Sequence, residues 1–308
     1  MLTVKLKEIY QDAIKNGYAL GAFNFCNLES LKGICSSAED NKSPVIVAVS
    51  SSALKHMGDE YLKNMIIATK NIYTVPCFFH LDHGKDFEIC KKAIDLGFDS
   101  VMIDASAHEL EENIAITKQV VEYAHQFGVQ VEGELGRLLG TEDEHTSNES
   151  LFTSPEEAKY FVENTNVDSL AVAIGTSHGI NKFSGEPKLA FDILEEIQNL
   201  LPSFPIVLHG ASSVNENTIE QINSLGGEIK KAKGVPPEML HLACTKYNVC
   251  KINVDTDIRM ATTLALRQYF NELPDSVDTK KYFGIAQDKI KELVSFKICE
   301  VFNSNNRV

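Results

Sequence analysis

Three short segments each deliver a histidine at the end of an apolar run: Phe78-Phe79-His80-Leu81-Asp82-His83-Gly84, Ala173-Ile174-Gly175-Thr176-Ser177-His178-Gly179 and Val207-Leu208-His209-Gly210-Ala211-Ser212-Ser213. In each, a β-like run ends in a histidine followed at once by glycine, as a strand does when it leaves a sheet for a binding loop. Neutral imidazoles from separate strands are the donor set of a catalytic zinc, which takes three protein ligands and keeps a fourth position for substrate. A lone His-Gly pair reads more readily as a hydrogen-bonded core or loop histidine. Three of them, at His83, His178 and His209, turn the balance toward a metal site.

Carboxylates and small polar loops accompany the histidines. Glu132 and Glu134 alternate in Val131-Glu132-Gly133-Glu134-Leu135-Gly136, Asp82 precedes His83, and Asp104 ends another apolar run. Carboxylates on the inside of a sheet are costly unless paired or bound to a cation. Their plainer reading is a polar layer held by hydrogen bonds. Gly210-Ala211-Ser212-Ser213 and Asn253-Val254-Asp255-Thr256 have the composition of phosphate loops, with Ser212 and Thr256 as hydroxyl donors. The 29 Lys and Arg against 43 Asp and Glu give a net charge of −14, which argues against a nucleic-acid or anionic-membrane partner. A phosphorylated small molecule would need local positive charge, for which Lys182 and Arg259 are the candidates.

These residues need a scaffold that brings distant loops to one rim. Eight β-like runs recur, at Ala19–Asn24, Val45–Ser50, Cys77–His83, Ser100–Asp104, Val129–Gly136, Ser169–Gly175, Pro205–Gly210 and Val249–Thr256. Helical spacing lies between them, as in Asp86–Leu96 and Leu110–Phe127, and Thr153-Ser154-Pro155-Glu156-Glu157 reads as a helix start. Eightfold alternation predicts an α/β fold, a single-domain (β/α)8 TIM barrel spanning residues 1–308, with C-terminal helices at about 257–303. His83, His178 and His209 then end its third, sixth and seventh strands. No G-x-G-x-x-G follows any strand, which weakens a dinucleotide-binding reading. Longer connections at Leu138–Phe152 and Asn181–Pro187 are candidate lids, and Gly226–Pro236 is a third insertion. The seven cysteines form no C-x-x-C pair and read as reduced thiols of a cytoplasmic protein. The N-terminal residues read as lacking the apolar stretch of a signal peptide, and no apolar run of about 20 residues occurs.

Taken in order, the motifs resemble the class II, metal-dependent fructose-1,6-bisphosphate aldolases, the shorter B subgroup in particular. The likeness rests on Gly21-Ala22-Phe23-Asn24, His80-Leu81-Asp82-His83-Gly84, Val101-Met102-Ile103-Asp104-Ala105-Ser106, Glu132-Gly133-Glu134-Leu135-Gly136, Gly175-Thr176-Ser177-His178-Gly179, Lys182-Phe183-Ser184-Gly185-Glu186-Pro187, His209-Gly210-Ala211-Ser212, Gly234-Val235-Pro236 and Lys251-Ile252-Asn253-Val254-Asp255-Thr256-Asp257. It implies zinc on His83, His178 and His209, with Glu134 as alternate ligand. Asp104 would join Glu134 in a second metal or monovalent-cation (Na+ or K+) position. Asp82 matches the catalytic aspartate, and Glu142, in a mobile loop at about 137–152, the proton-abstracting glutamate. Gly179, Lys182, Gly210, Ser212, Asn253 and Thr256 would take the first phosphate. Asn24 belongs to the substrate set, while Ser50, Asp255 and Arg259 contact the aldehyde half.

The resemblance further implies a homodimer or higher oligomer, and reversible cleavage of fructose 1,6-bisphosphate to dihydroxyacetone phosphate and glyceraldehyde 3-phosphate. Two positions depart from the family pattern. Leu139 stands where relatives carry one of a paired glycine. Lys280 stands where they carry an arginine reaching a neighbouring subunit's phosphate, and lysine lacks the bidentate fork. Rival readings are the tagatose-1,6-bisphosphate epimer as substrate, a Schiff-base aldolase using Lys251, a metal-dependent hydrolase, and a non-catalytic sugar-phosphate binder.

Overall fold

The eight apolar runs become the staves of a closed parallel barrel. The computed structural model of the protein describes residues 4–138, 140–142, 145–147, 151–177, 179, 188–230 and 232–308, with 141–142 and 145–147 described as backbone only. Its strands are β1 (Leu20–Asn24), β2 (Val45–Ser50), β3 (Cys77–Gly84), β4 (Ser100–Ile103), β5 (Gln130–Leu135), β6 (Gly140–Glu142), β7 (His145–Ser147), β8 (Ser169–Val172), β9 (Ile206–Leu208) and β10 (Val249–Val254). The barrel runs β1-β10-β9-β8-β5-β4-β3-β2 and closes because β1 pairs with both β10 and β2. Strands β6 and β7 form a separate antiparallel hairpin in the connection after β5. The (β/α)8 barrel expected from the sequence is therefore the fold.

Local chemistry sets the helix boundaries. The Asp86 side chain accepts from Ile89 N and caps Phe87–Leu96, which ends at Gly97 with φ 95°. Ser154 caps Pro155–Thr165 in the same way, with proline in its first turn. Strand β8 ends before its apolar run does. Past Val172 the chain leaves the barrel ladder, and Ala173 exchanges hydrogen bonds with Thr153 instead, at 2.8 and 2.9 Å.

The pleat separates two cores. Outward residues such as Val47, Phe79, Leu81 and Val101 pack beneath the surrounding helices. Inward residues Leu20, Ala22, Ile46 and Phe78 meet Leu6, Ile9, Tyr10 and Ala13 of the helix Leu6–Asn16, which covers the N-terminal end of the barrel. Met102, Ala171 and Val207 fill a layer above. Further polar inward residues, Asp82 and Asn253 among them, lie toward the C-terminal mouth, the functional face of this architecture. Five of the seven cysteines, Cys35, Cys77, Cys90, Cys244 and Cys250, are buried. Among the described residues, no helix is long and apolar enough to cross a membrane.

Candidate metal centre and active site

Consecutive residues of a regular strand point to opposite faces, yet Asp82 and His83 share one site. The reason is a bulge: between Leu81↔Val101 and Gly84↔Ile103, β3 carries one residue more than β4. His83 takes up the irregularity at φ 48°, a left-handed conformation uncommon for a side-chain-bearing residue. Both side chains are buried at the mouth.

Two amides fix the Asp82 carboxylate. Asn24 Nδ2 donates to Oδ2 at 2.7 Å, and Asn253 Nδ2 donates to Oδ1 at 2.8 Å. A carboxylate only accepts, so each asparagine must turn its nitrogen toward Asp82 and its Oδ1 away. Both Oδ1 atoms are buried without a hydrogen-bond partner among the described residues. They are acceptors waiting for a donor.

The two described histidines each have one nitrogen assigned by a carboxylate. His83 Nδ1 meets Asp104 Oδ2 at 2.9 Å, and His209 Nε2 meets Glu132 Oε1 at 2.7 Å. Their rings stand edge to face with centroids 4.7 Å apart. Beneath them, Lys251 Nζ donates to Glu132 at 2.8 and 3.1 Å and lies 3.2 Å from His80 Nε2. His80 Nδ1 in turn meets Ser100 Oγ at 2.7 Å. A buried charge is thus matched by a buried countercharge one layer under the site.

Electrostatics follow this wiring. Burial would raise Glu132, but the Lys251 ammonium and His209 hold its carboxyl well below the usual range. Burial would likewise raise Asp104, and the His83 and Ser106 hydrogen bonds hold it far down. Burial and the Lys251 charge push His209 down. His83 is raised despite burial, by Asp104 and Asp82. Burial and then the Asp104 carboxylate drive Glu134 well above the carboxylate range.

The donor chemistry fits a divalent cation. Ligand atoms of Asp82, His83 and His209 lie within 4.8 Å of one another, as do those of His83, Asp104 and Glu134. Glu134 Oε2, 3.7 Å from His83 Nδ1, makes no hydrogen bond among the described residues. A carboxylate so enclosed calls for a cation or a proton. His178 lies outside the described residues, as do Lys182 and Leu139; the Glu142 side chain does too, and only its backbone in β6 is described.

The rim residues divide into those gathered at the mouth and those on its surface. Gly210 turns at φ 62°, and a Cβ there would stand 2.7 Å from the Ser177 backbone, so the loops after β8 and β9 touch. Ser212 is buried on the loop after β9 and Asn253 near the end of β10, and Thr256 opens the helix Thr256–Glu272. Ser50 Oγ caps Ser51–Met57 through Ala53 N at 3.3 Å. Gly179 is partly exposed. Arg259 is gripped bidentately by Asp255, at 2.9 and 2.7 Å. Lys280 is exposed near the start of Thr279–Phe296.

Comparison with known proteins gives this arrangement its lineage. Residues 4–307 match the family described as fructose-bisphosphate aldolase class-II. The chain belongs to that family. It is 47% identical over 296 residues to the fructose-bisphosphate aldolase of Giardia intestinalis, covering 95% of this chain and 91% of that one. Against the fructose-bisphosphate aldolase of Treponema pallidum it is 43% identical, covering 99% and 97% of the two chains. Among solved structures it resembles the YdjI aldolase of Escherichia coli K12, with 30% identity, TM-score 0.80, and 99% and 98% of the chains covered.

Within the class-II aldolase fold, sequence reasoning missed the supports of the site. The sequence offers Lys251 as a Schiff-base nucleophile, yet its ammonium is locked under Glu132. The signal was there: Lys251 and Asn253 alternate on β10, so both face inward. Asn24 and Asn253, expected on substrate, hold the Asp82 carboxylate through their amide nitrogens.

Proposed function

We propose that this chain catalyses the reversible, zinc-dependent cleavage of D-fructose 1,6-bisphosphate to dihydroxyacetone phosphate and D-glyceraldehyde 3-phosphate. One observation carries the reading: Asp82 is buried, oriented by two asparagine amides, and 3.8 Å from His209 Nδ1. A carboxylate so held beside imidazoles is a base aimed at one proton. His83, His178 and His209 would hold the zinc, with Glu134 and Asp104 offering an alternate position. When bound, zinc supplies a Lewis acid for the ketone oxygen.

The chain's own groups do the rest. Asp82 takes the proton of the C4 hydroxyl during cleavage and returns it during condensation. The outward Oδ1 atoms of Asn24 and Asn253 accept hydrogen bonds from hydroxyls of the sugar. Glu142, on the 137–152 connection that we read as a closing lid, exchanges the C1 proton. Gly179, Lys182, Gly210, Ser212 and Thr256 receive the first phosphate, favoured by the amides that open the Thr256–Glu272 helix. Ser50, Asp255 and Arg259 contact the aldehyde half, with the Asp255 fork orienting the guanidinium.

Exposed Phe270, Leu273, Val277 and Phe283 support a homo-oligomer, whose contact would bring Lys280 near a neighbouring copy. The buried thiols support a cytoplasmic location. The deciding experiment measures cleavage of fructose 1,6-bisphosphate before chelation, after it, and after zinc is returned. Loss and recovery are expected; cleavage by zinc-free protein overturns the reading.

A further inference from the structure

Two buried charges have no part in the cleavage chemistry. Asp257 is 7% exposed and Lys297 1%. Lys297 Nζ lies 2.8 Å from Asp257 Oδ2 and donates to Ser213 Oγ at 2.7 Å. Asp257 also accepts the backbone N–H groups of Ser213 and Val214, both at 2.9 Å. The pair therefore grips the loop after β9 from beneath, directly beside Ser212.

That loop needs holding. Val214 sits at φ 41°, where a β-branched residue is strained. On the loop's other side Gly234 approaches so closely that a Cβ would stand 2.3 Å from Ser212 O. Val235 N donates to that same oxygen at 3.2 Å. Lys297 opens a π-helical turn, Lys297–Val301, at the end of Thr279–Phe296. Such turns are rare and often mark functional positions. Although burial alone would raise it, Lys297 and the two amides keep the Asp257 carboxyl below the usual range. It stays ionised as an acceptor, while its charge is cancelled where an anion would approach.

We propose that Asp257 and Lys297 are positioning residues that hold the Ser212–Val214 loop in the shape that receives a phosphate monoester. The inference rests on the phosphate role proposed for Ser212 and Gly210. Its test uses the zinc-loaded full chain carrying Lys297→Met, Lys297→Arg, Ser213→Ala or Ser212→Ala. The readouts are kcat and KM for fructose 1,6-bisphosphate, inhibition by inorganic phosphate, bound zinc, and melting temperature.

Lys297→Met should raise KM and the phosphate inhibition constant about tenfold, with kcat changed less than about threefold. Bound zinc should match the wild type, and Lys297→Arg should recover part of the loss. Ser213→Ala deletes only the hydroxyl that Lys297 reaches and should raise KM about two- to threefold. It decides the question if Lys297→Met does not fold. A lowered melting temperature with wild-type KM and phosphate inhibition in these variants, while Ser212→Ala raises both, overturns the inference. No effect of Ser212→Ala overturns the phosphate reading itself.

Discussion

Glu132 Oε1 and His209 Nε2 lie 2.7 Å apart, and that contact decides which imidazole nitrogen can meet a cation. With Nε2 committed to the carboxylate, Nδ1 is the nitrogen that would meet the proposed cation; it lies 3.8 Å from Asp82 Oδ1. Carboxylate partners of this kind orient a metal-binding imidazole and raise its basicity. Glu132→Gln keeps the shape and loses the charge, so zinc affinity should fall about 10- to 100-fold. Competition against a chelator of known affinity measures it. Unchanged affinity would show that Glu132 serves packing alone.

Asp82 depends on its two amide donors. Asn253→Ala removes one charge-assisted hydrogen bond, a loss of about 1.5–3 kcal/mol, or about 10- to 150-fold in kcat/KM. Asp82→Ala should lower kcat about 10²- to 10⁴-fold, the range of a lost general base, with zinc still bound. Steady-state kinetics with metal analysis on the same samples checks both. Near-wild-type turnover by Asp82→Ala would end its assignment as the base.

The barrel was legible because its cues are local. Each strand is a short apolar run bounded by turn residues, and helix starts such as Asp86 and Ser154 carry their caps in the adjacent sequence. The bulge that brings Asp82 and His83 to one site was not legible, because it depends on register against β4. Nor was the pairing of Lys251 with Glu132, 119 residues apart in the chain. The clamp between Asp257 and Lys297 likewise depends on how two successive helices pack. Residue type suggests the candidate reacting groups, whereas the contacts that support them emerge from tertiary structure.

Acid should expose the Asp257 ion pair. Its carboxyl is depressed in the folded state, chiefly by Lys297 against the cost of burial. A depressed carboxyl contributes stability that is complete above its unfolded value of about 3.9 and is lost as pH falls through the lower folded value. Wild-type stability should therefore decline below about pH 4, and Asp257→Asn should decline less steeply over that window while being less stable above it. Urea unfolding at a series of pH values compares the slopes. Parallel curves would remove Asp257 from the acid limb.

The exposed aromatic face predicts association. Phe270, Val277 and Phe283 are 42%, 89% and 38% exposed, and Phe270 and Phe283 cluster with Tyr282 at ring separations of 5.1 and 4.8 Å. Charged residues in place of both Phe270 and Phe283 should shift sedimentation toward the monomer. A variant that keeps the wild-type sedimentation coefficient would put the contact elsewhere.

Lys251 tests whether the buried polar layer is structural or reactive. Its ammonium is fully enclosed and bound by Glu132 at 2.8 and 3.1 Å, so it cannot present a lone pair to a ketone. Borohydride added with substrate should therefore trap no adduct. Lys251→Met leaves the Glu132 carboxylate buried without its countercharge and should cost about 3–5 kcal/mol of stability. Adding Glu132→Gln removes that stranded charge, so the double variant should recover at least about 1 kcal/mol relative to Lys251→Met alone. Urea unfolding of the single and double variants measures the coupling. Additive losses would show that the two charges do not depend on one another, and a borohydride adduct on Lys251 would return the Schiff-base reading.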